Sequence, residues 1–283
     1  MGTLDGRVAI VTGASRGLGK DIAISLGKQG ATVVATARTE NEGDSRIPGS
    51  LSRTVELVGA AGGKGIAMRC DVTRDEEIED TVAKVVAQFG KLDILVNNAG
   101  ILVPGSLMEM QSRHFDLQYR VNVRAPFMFC RTAIPHMTQN GWGHIVNISS
   151  GGSVGPGQGP YKQAGTGGSS YGATKAALER MTQGLAAEVF DRNIAANSLS
   201  PEIGEWSEGG HYFRSMGDGE PVYAGWRMSG EIIGDAAALI CSKDPQTFTG
   251  RILYDERLFR SEGMTFDEVR SRYPVEPGDR RRS

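Results

Sequence analysis

With 283 residues and a mass of 30.3 kDa, the chain is long enough for one large α/β domain with a full core. Lys and Arg number 31 against 33 Asp and Glu, a net charge of −2, which excludes the basic footprint that nucleic acid or an anionic membrane surface demands. Three cysteines without CxxC spacing exclude a disulfide framework, and four scattered histidines, His114, His136, His144 and His211, give no metal site.

Gly accounts for 39 residues without a G-X-Y period, so tight turns and close backbone approaches explain it. The N-terminus has neither the basic nor the apolar region of a secretory signal. No apolar stretch approaches the roughly 20 residues of a membrane span. A soluble, cytoplasmic protein is expected.

In chain order, residues 7–12 (RVAIVT) predict a first strand, 13–19 a glycine-rich turn, and 18–30 a helix with Leu18, Ile22, Ala23 and Leu26 at helical spacing. Residues 32–37 (TVVATA) predict a second strand, 39–50 a polar interruption, and 65–70 a third strand. Thr73 and Glu76 read as a capping box before a helix that aligns Ile78, Val82, Val85 and Phe89 on one face. Strands follow at 92–96, 144–148 and 194–199. Alternating strands and helices with near-continuous apolar strands mean a parallel sheet covered on both faces. Residues 151–170 read as a glycine-rich loop, 202–230 show no periodicity, and the polar tail 261–283 is expected to pack loosely. No linker divides the chain, so residues 1–260 form a single domain.

Thr12-Gly13-Ala14-Ser15-Arg16-Gly17-Leu18-Gly19 follows a strand and opens a helix. Such a turn lets backbone N–H groups and a helix dipole meet a pyrophosphate, which makes Gly13, Ser15, Arg16, Gly17, Leu18 and Gly19 cofactor candidates. After the second strand an acidic residue would accept from the ribose hydroxyls of NAD, whereas Arg accommodates the 2′-phosphate of NADP. Arg38 stands there, with Arg16 inside the turn and Glu40 two residues on. NADP is therefore expected over NAD. Tyr171 and Lys175 lie at i and i+4, one helix face. A neighbouring ammonium and a cationic nicotinamide ring would favour phenolate and bring the phenol pKa toward the working range.

In these residues the chain resembles the short-chain dehydrogenase/reductase family of the NADP-preferring TGxxxGxG type. Four motifs match in order: 12–19, Asn97-Asn98-Ala99-Gly100, Ser149-Ser150 and Tyr171 to Lys175. The resemblance implies a Rossmann-type doubly wound parallel sheet of about seven strands with helices on both faces, a nicotinamide cofactor, and hydride transfer between an alcohol and a carbonyl substrate. It implies Tyr171 as acid/base, Lys175 as the residue that binds the nicotinamide ribose and lowers the tyrosine pKa, and Ser150 as the residue that orients the carbonyl oxygen. Asn122 matches the helix-bulge asparagine of a water-linked relay to lysine. Asp71 and Val72 match the adenine-contacting pair, and Asn98, Ala99 and Gly100 the turn beside the adenosine ribose, a segment that also braces the sheet. A homodimer or homotetramer is implied by the resemblance alone.

Three departures stand out. The stretch between Ser150 and Tyr171 is longer than the family usually leaves, so a glycine-rich insertion flanks the substrate side. After the sixth strand Pro201 is followed by Glu202 where the family has Gly; Pro201 and Ile203 are the cofactor-contact candidates there. The change resembles the branch that includes the hydroxysteroid-dehydrogenase-like proteins. The ending Gly250 to Glu256 also differs from the family pattern. Trp206, Tyr212, Phe213 and Trp226 suggest either a lid for an apolar substrate or simple packing. Two other readings are a catalytically silent nucleotide-binding regulator and an epimerase or dehydratase on the same fold.

Overall fold

Near-continuous apolar strands need cover on both faces, and the computed structural model, which describes residues 2–162, 168–202 and 228–274, supplies it. Seven strands lie side by side: β1 (Val8–Thr12), β2 (Thr32–Ala37), β3 (Lys64–Arg69), β4 (Ile94–Asn97), β5 (Gly143–Ile148), β6 (Ile194–Ser200) and β7 (Ile252–Tyr254). Their order is β3-β2-β1-β4-β5-β6-β7, and every pairing is parallel. This is the doubly wound Rossmann-type sheet. The order reverses between β1 and β4, which opens a crevice beyond the carboxyl ends of those two strands.

The helices are α1 (Gly17–Lys28), α2 (Leu51–Ala60), α3 (Asp75–Phe89), α4 (Ser112–Tyr119), α5 (Ala125–Asn140), α6 (Ser169–Glu188), α7 (Glu231–Cys241), α8 (Asp255–Ser261) and α9 (Phe266–Arg272). Residues Arg120–Arg124 form a π-helical turn joining α4 to α5. Period-2 alternation divides β1, β2, β4, β5 and β6 between two cores. Ala9 and Val11 pack with Ile22 and Leu26 of α1 and with Ile233 and Ala237 of α7. Val8 and Ile10 face the opposite layer, with Ile78 and Val82 of α3 and Phe129 of α5. A side chain at Gly234 would stand 2.6 Å from the Asp21 carbonyl and the Ser25 hydroxyl, so its absence lets α7 lie against α1.

Three expectations are corrected. The capping box does not form: α3 starts at Asp75 with Arg74 as its cap, and the Thr73 hydroxyl donates instead to Asp71 Oδ1 at 2.8 Å. The helix begins one residue later than the box requires, and Asp75, Glu76 and Glu77 complement its dipole directly. The tail is not loose over residues 261–274. Val269 and Tyr273 are core residues, and the Tyr273 hydroxyl donates to Asp235 Oδ2 at 2.9 Å. Finally, residues 169 and 170, read as loop, are the first turn of α6. No helix among the described residues is long and apolar enough to cross a membrane.

Candidate functional site

The crevice is closed at its base by hydrogen bonds between the two turns that flank it. The Thr12 hydroxyl accepts from the backbone N–H groups of Asn98 and Ala99, both at 3.0 Å. In return Asn98 Nδ2 donates to the carbonyls of Thr12 at 2.9 Å and Gly13 at 3.2 Å. The Asn98 side chain thus braces the glycine turn. Two glycines in that turn, Gly13 at φ +65° and Gly17 at φ +56°, take a conformation that side chains disfavour. At Gly19 a Cβ would stand 2.3 Å from the Asn98 amide.

Above this base lies a cleft of about 400 Å³. Gly13, Ser15, Arg16, Gly17, Leu18 and Gly19 line one side, Arg38, Asp71 and Val72 another, and Asn98, Ala99 and Gly100 the third. The donor set fits a dinucleotide: the amino end of α1 for phosphates, a guanidinium past β2, and an acidic and apolar rim past β3. The two arginines are not equivalent. Arg16 Nη2 donates to the Gly49 carbonyl at 2.9 Å and to the Thr39 hydroxyl at 3.2 Å, tying the turn to the 39–50 loop. Arg38 is exposed and lies close enough to Asp71 to act on its charge. Burial raises the Asp71 pKa, but the Thr73 backbone and hydroxyl donors and then Arg38 outweigh it, leaving the carboxyl below its ordinary value.

At Gly100 the cleft comes up against two of the other candidate residues, Lys175 and Asn122. A Cβ on Gly100 would be 3.5 Å from both Lys175 Nζ and Asn122 Oδ1. Lys175 is buried, donates to the Ile148 carbonyl at 2.8 Å, and sits 5.8 Å from the Tyr171 ring centroid. Burial lowers its pKa to about 8, with Glu179 acting in the opposite direction. Burial also raises the Tyr171 pKa, while a hydrogen bond with Ser150 pulls it down. The expected lowering by Lys175 is not the governing effect; desolvation of the phenol is larger. Ser150 caps the turn Gly151–Ser153 by accepting from the Gly152 N–H at 3.1 Å. Asn122, in the π turn, accepts from the Ile101 N–H at 2.9 Å and donates to the Ile101 carbonyl at 2.9 Å and the Thr174 hydroxyl at 3.0 Å.

Of the segment after β6, Pro201 sits at the end of the strand and is not part of the cleft lining. Ile203 lies outside the described residues, as do His211, Trp206, Tyr212, Phe213 and Trp226. Glu202 points to α8 instead: its carboxylate accepts from Arg257 Nη2 at 2.6 Å, and its N–H donates to Asp255 Oδ1 at 2.9 Å. The insertion runs exposed over 154–162, with the Tyr161 hydroxyl donating to the Gly157 carbonyl at 2.7 Å. Sequence reasoning missed Glu179, which is buried and accepts from Ser149 at 2.7 Å. Its only sequence signal is its position one turn after Lys175. Among the described residues no His, Cys, Asp or Glu cluster could hold a metal ion.

The profile of the short chain dehydrogenase family matches residues 7–209. Hydroxysteroid dehydrogenase-like protein 2 of Bos taurus is 33% identical over 277 residues, 98% of this chain, and the human protein is 31% identical over the same length. The chain spans 62% of the length of both relatives. A short chain dehydrogenase from Mycobacterium thermoresistibile superposes with a TM-score of 0.78 at 27% identity, covering 92% of this chain and 89% of that one. A metagenomic short-chain oxidoreductase solved in complex with NADP gives a TM-score of 0.71 at 30% identity, covering 89% and 97%.

Proposed function

The chain belongs to the short chain dehydrogenase family, and from that premise we propose that it is an NADP(H)-dependent oxidoreductase that interconverts an alcohol and a ketone or aldehyde. The observation that supports the reading is Lys175 Nζ standing beside Gly100 at the edge of a dinucleotide-sized cleft, with the Tyr171 ring 5.8 Å from that Nζ and Ser150 hydrogen-bonded to Tyr171. The NADP bound by the metagenomic relative and the exposed Arg38 at the cleft support NADP over NAD.

When bound, the nicotinamide supplies or accepts the hydride. The chain's own residues handle the proton and the developing charge. Burial keeps Tyr171 protonated at neutral pH, which suits it to protonate an oxygen that becomes an alkoxide during reduction. Ser150, whose Oγ accepts from Gly152, has its own proton to donate to that oxygen. Lys175, with a pKa of about 8, remains an ammonium at pH 7 and counters negative charge as it passes to the phenol. Asn122 fixes the Ile101 backbone beside the cleft and the Thr174 hydroxyl of α6.

The test is turnover of a panel of ketones and aldehydes by the purified chain, with NADPH and NADH binding followed by fluorescence. NADPH is expected to bind at least about tenfold tighter than NADH, about 1.4 kcal/mol. Tyr171→Phe should lower turnover by about 10²-fold or more, the usual contribution of a positioned acid, while NADPH binding stays unchanged. Retained turnover would remove Tyr171 from the mechanism, and binding of neither nucleotide would overturn the reading as a whole.

A further inference from the structure

Gln118 is the last buried residue of α4, with none of its side chain exposed. Its Oε1 accepts from the Val103 N–H at 3.1 Å, and its Nε2 donates to the Ser170 hydroxyl at 3.0 Å, with Met110 Sδ at 3.4 Å. One helical turn later, Asn122 repeats the pattern. Its Oδ1 accepts from the Ile101 N–H and its Nδ2 donates to the Thr174 hydroxyl. The acceptors Ser170 and Thr174 are themselves one turn apart on α6, and each immediately precedes a candidate catalytic residue, Tyr171 or Lys175. The N–H donors, on residues 101 and 103, lie two apart on the segment that leaves β4 past Gly100.

We infer that Gln118 is a positioning residue: with Asn122 it forms a two-rung amide ladder that sets the Tyr171 turn of α6 in register with the segment 101–103, whose Ile101 lines the cleft. Asn122 is the rung on which the family resemblance bears; Gln118 is a second one that no comparison assigns. A buried primary amide is costly unless its oxygen and nitrogen both find partners, and here each bridges to a different segment. Gln118 is not among the residues that line the cleft, and it acts through Ser170 on the placement of Tyr171 relative to Ser150.

This inference rests on the proposed oxidoreductase reading, so the experiment has one readout that needs turnover and one that does not. The variants are Gln118→Met, which keeps the length and removes the amide, Ser170→Ala, the two combined, and Gln118→Glu. The glutamate retains an acceptor for the Val103 N–H and can accept from the Ser170 hydroxyl. Gln118→Met is expected to lower kcat about tenfold, the scale of a sub-ångström misplacement, with KM for NADPH unchanged. Ser170→Ala should reproduce most of that loss, and the double variant should be no worse than Gln118→Met, because both remove the same rung. Gln118→Glu should recover most of it.

The second readout is the ultraviolet titration of the Tyr171 phenol, taken as the difference from Tyr171→Phe. Weakening the Ser150 contact should move its midpoint upward by about half a pH unit in Gln118→Met. A Gln118→Met protein that melts lower but keeps both kcat and the phenol midpoint would overturn the inference, as would additive losses in the double variant. A parent chain that turns over no carbonyl while the midpoint still shifts would instead count against the oxidoreductase reading and for the ladder.

Discussion

His144 shows how strongly burial governs single residues here. It lies on β5 with none of its side chain exposed, and its Nε2 donates to the Lys243 carbonyl at 3.1 Å. Burial lowers its pKa to about 4; the Lys243 carbonyl opposes this and Arg7 adds to it. A histidine with a depressed folded-state pKa leaves the unfolded chain binding more protons between about pH 6.5 and pH 4, so stability falls as pH falls through that window. Urea melts should therefore show about 2 kcal/mol lost between pH 6.5 and pH 4.5 from this residue. In His144→Gln, that part of the pH dependence should be absent; an unchanged slope would mean that other groups carry the acid sensitivity. Lys175 follows the same logic at higher pH, and its depressed pKa keeps a charged form available only up to about pH 8. At this scale Tyr171, Lys175 and Ser150 stood out in the sequence because each belongs to a spaced motif. Gln118 and Glu179 did not, because a lone amide or carboxylate on a helix is ordinary until its partners are known.

At the scale of elements, the glycine turn and α1 act as one unit with the turn after β4. Gly19 lies on the inner face of α1, where a Cβ would meet the Asn98 amide at 2.3 Å and the Gly13 carbonyl at 2.5 Å. Both neighbours are held by the hydrogen bonds that close the crevice, so neither can yield cheaply. Gly19→Ala is expected to cost about 1–3 kcal/mol in overpacking and to weaken NADPH binding by about tenfold or more, measured by denaturant melts and fluorescence titration. Unaltered nucleotide affinity would separate the turn from the cofactor. The helix α2 escaped the sequence reading. Its cap, Ser50, which accepts from the Arg53 N–H at 3.1 Å, is the last residue of the polar segment 39–50, and its ten residues bury only Leu51, Thr54 and Val58. Those three stand at i, i+3 and i+7, a helical stripe that the sequence does carry but that is masked by the polar, Gly- and Pro-containing run directly before it.

On the scale of the whole molecule, the C-terminal helices close one face of the sheet. Tyr273 is fully packed in the same core as α1 and α7, 5.6 Å from the Phe259 ring, and its hydroxyl reaches the Asp235 carboxylate that Ser25 of α1 also holds, at 2.9 Å. Tyr273→Ala should lower stability by about 3 kcal/mol, the usual cost of deleting a buried aromatic ring, with a matching fall in Tm; a change within error would mean that 266–274 adds nothing to the fold. The order of residues by itself determined the strand and helix alternation, the cleft-forming glycine turn and the Tyr171–Lys175 pair, because each is written in local spacing that a single turn or strand can satisfy. Only the tertiary structure decided that Arg16 is taken up by Gly49 and Thr39, that burial rather than Lys175 dominates the Tyr171 phenol, that the polar tail carries core residues, and that Gln118 joins Val103 to Ser170. Each of these depends on groups far apart in the chain, and the burial and partners that fix their energies exist only once the sheet has assembled.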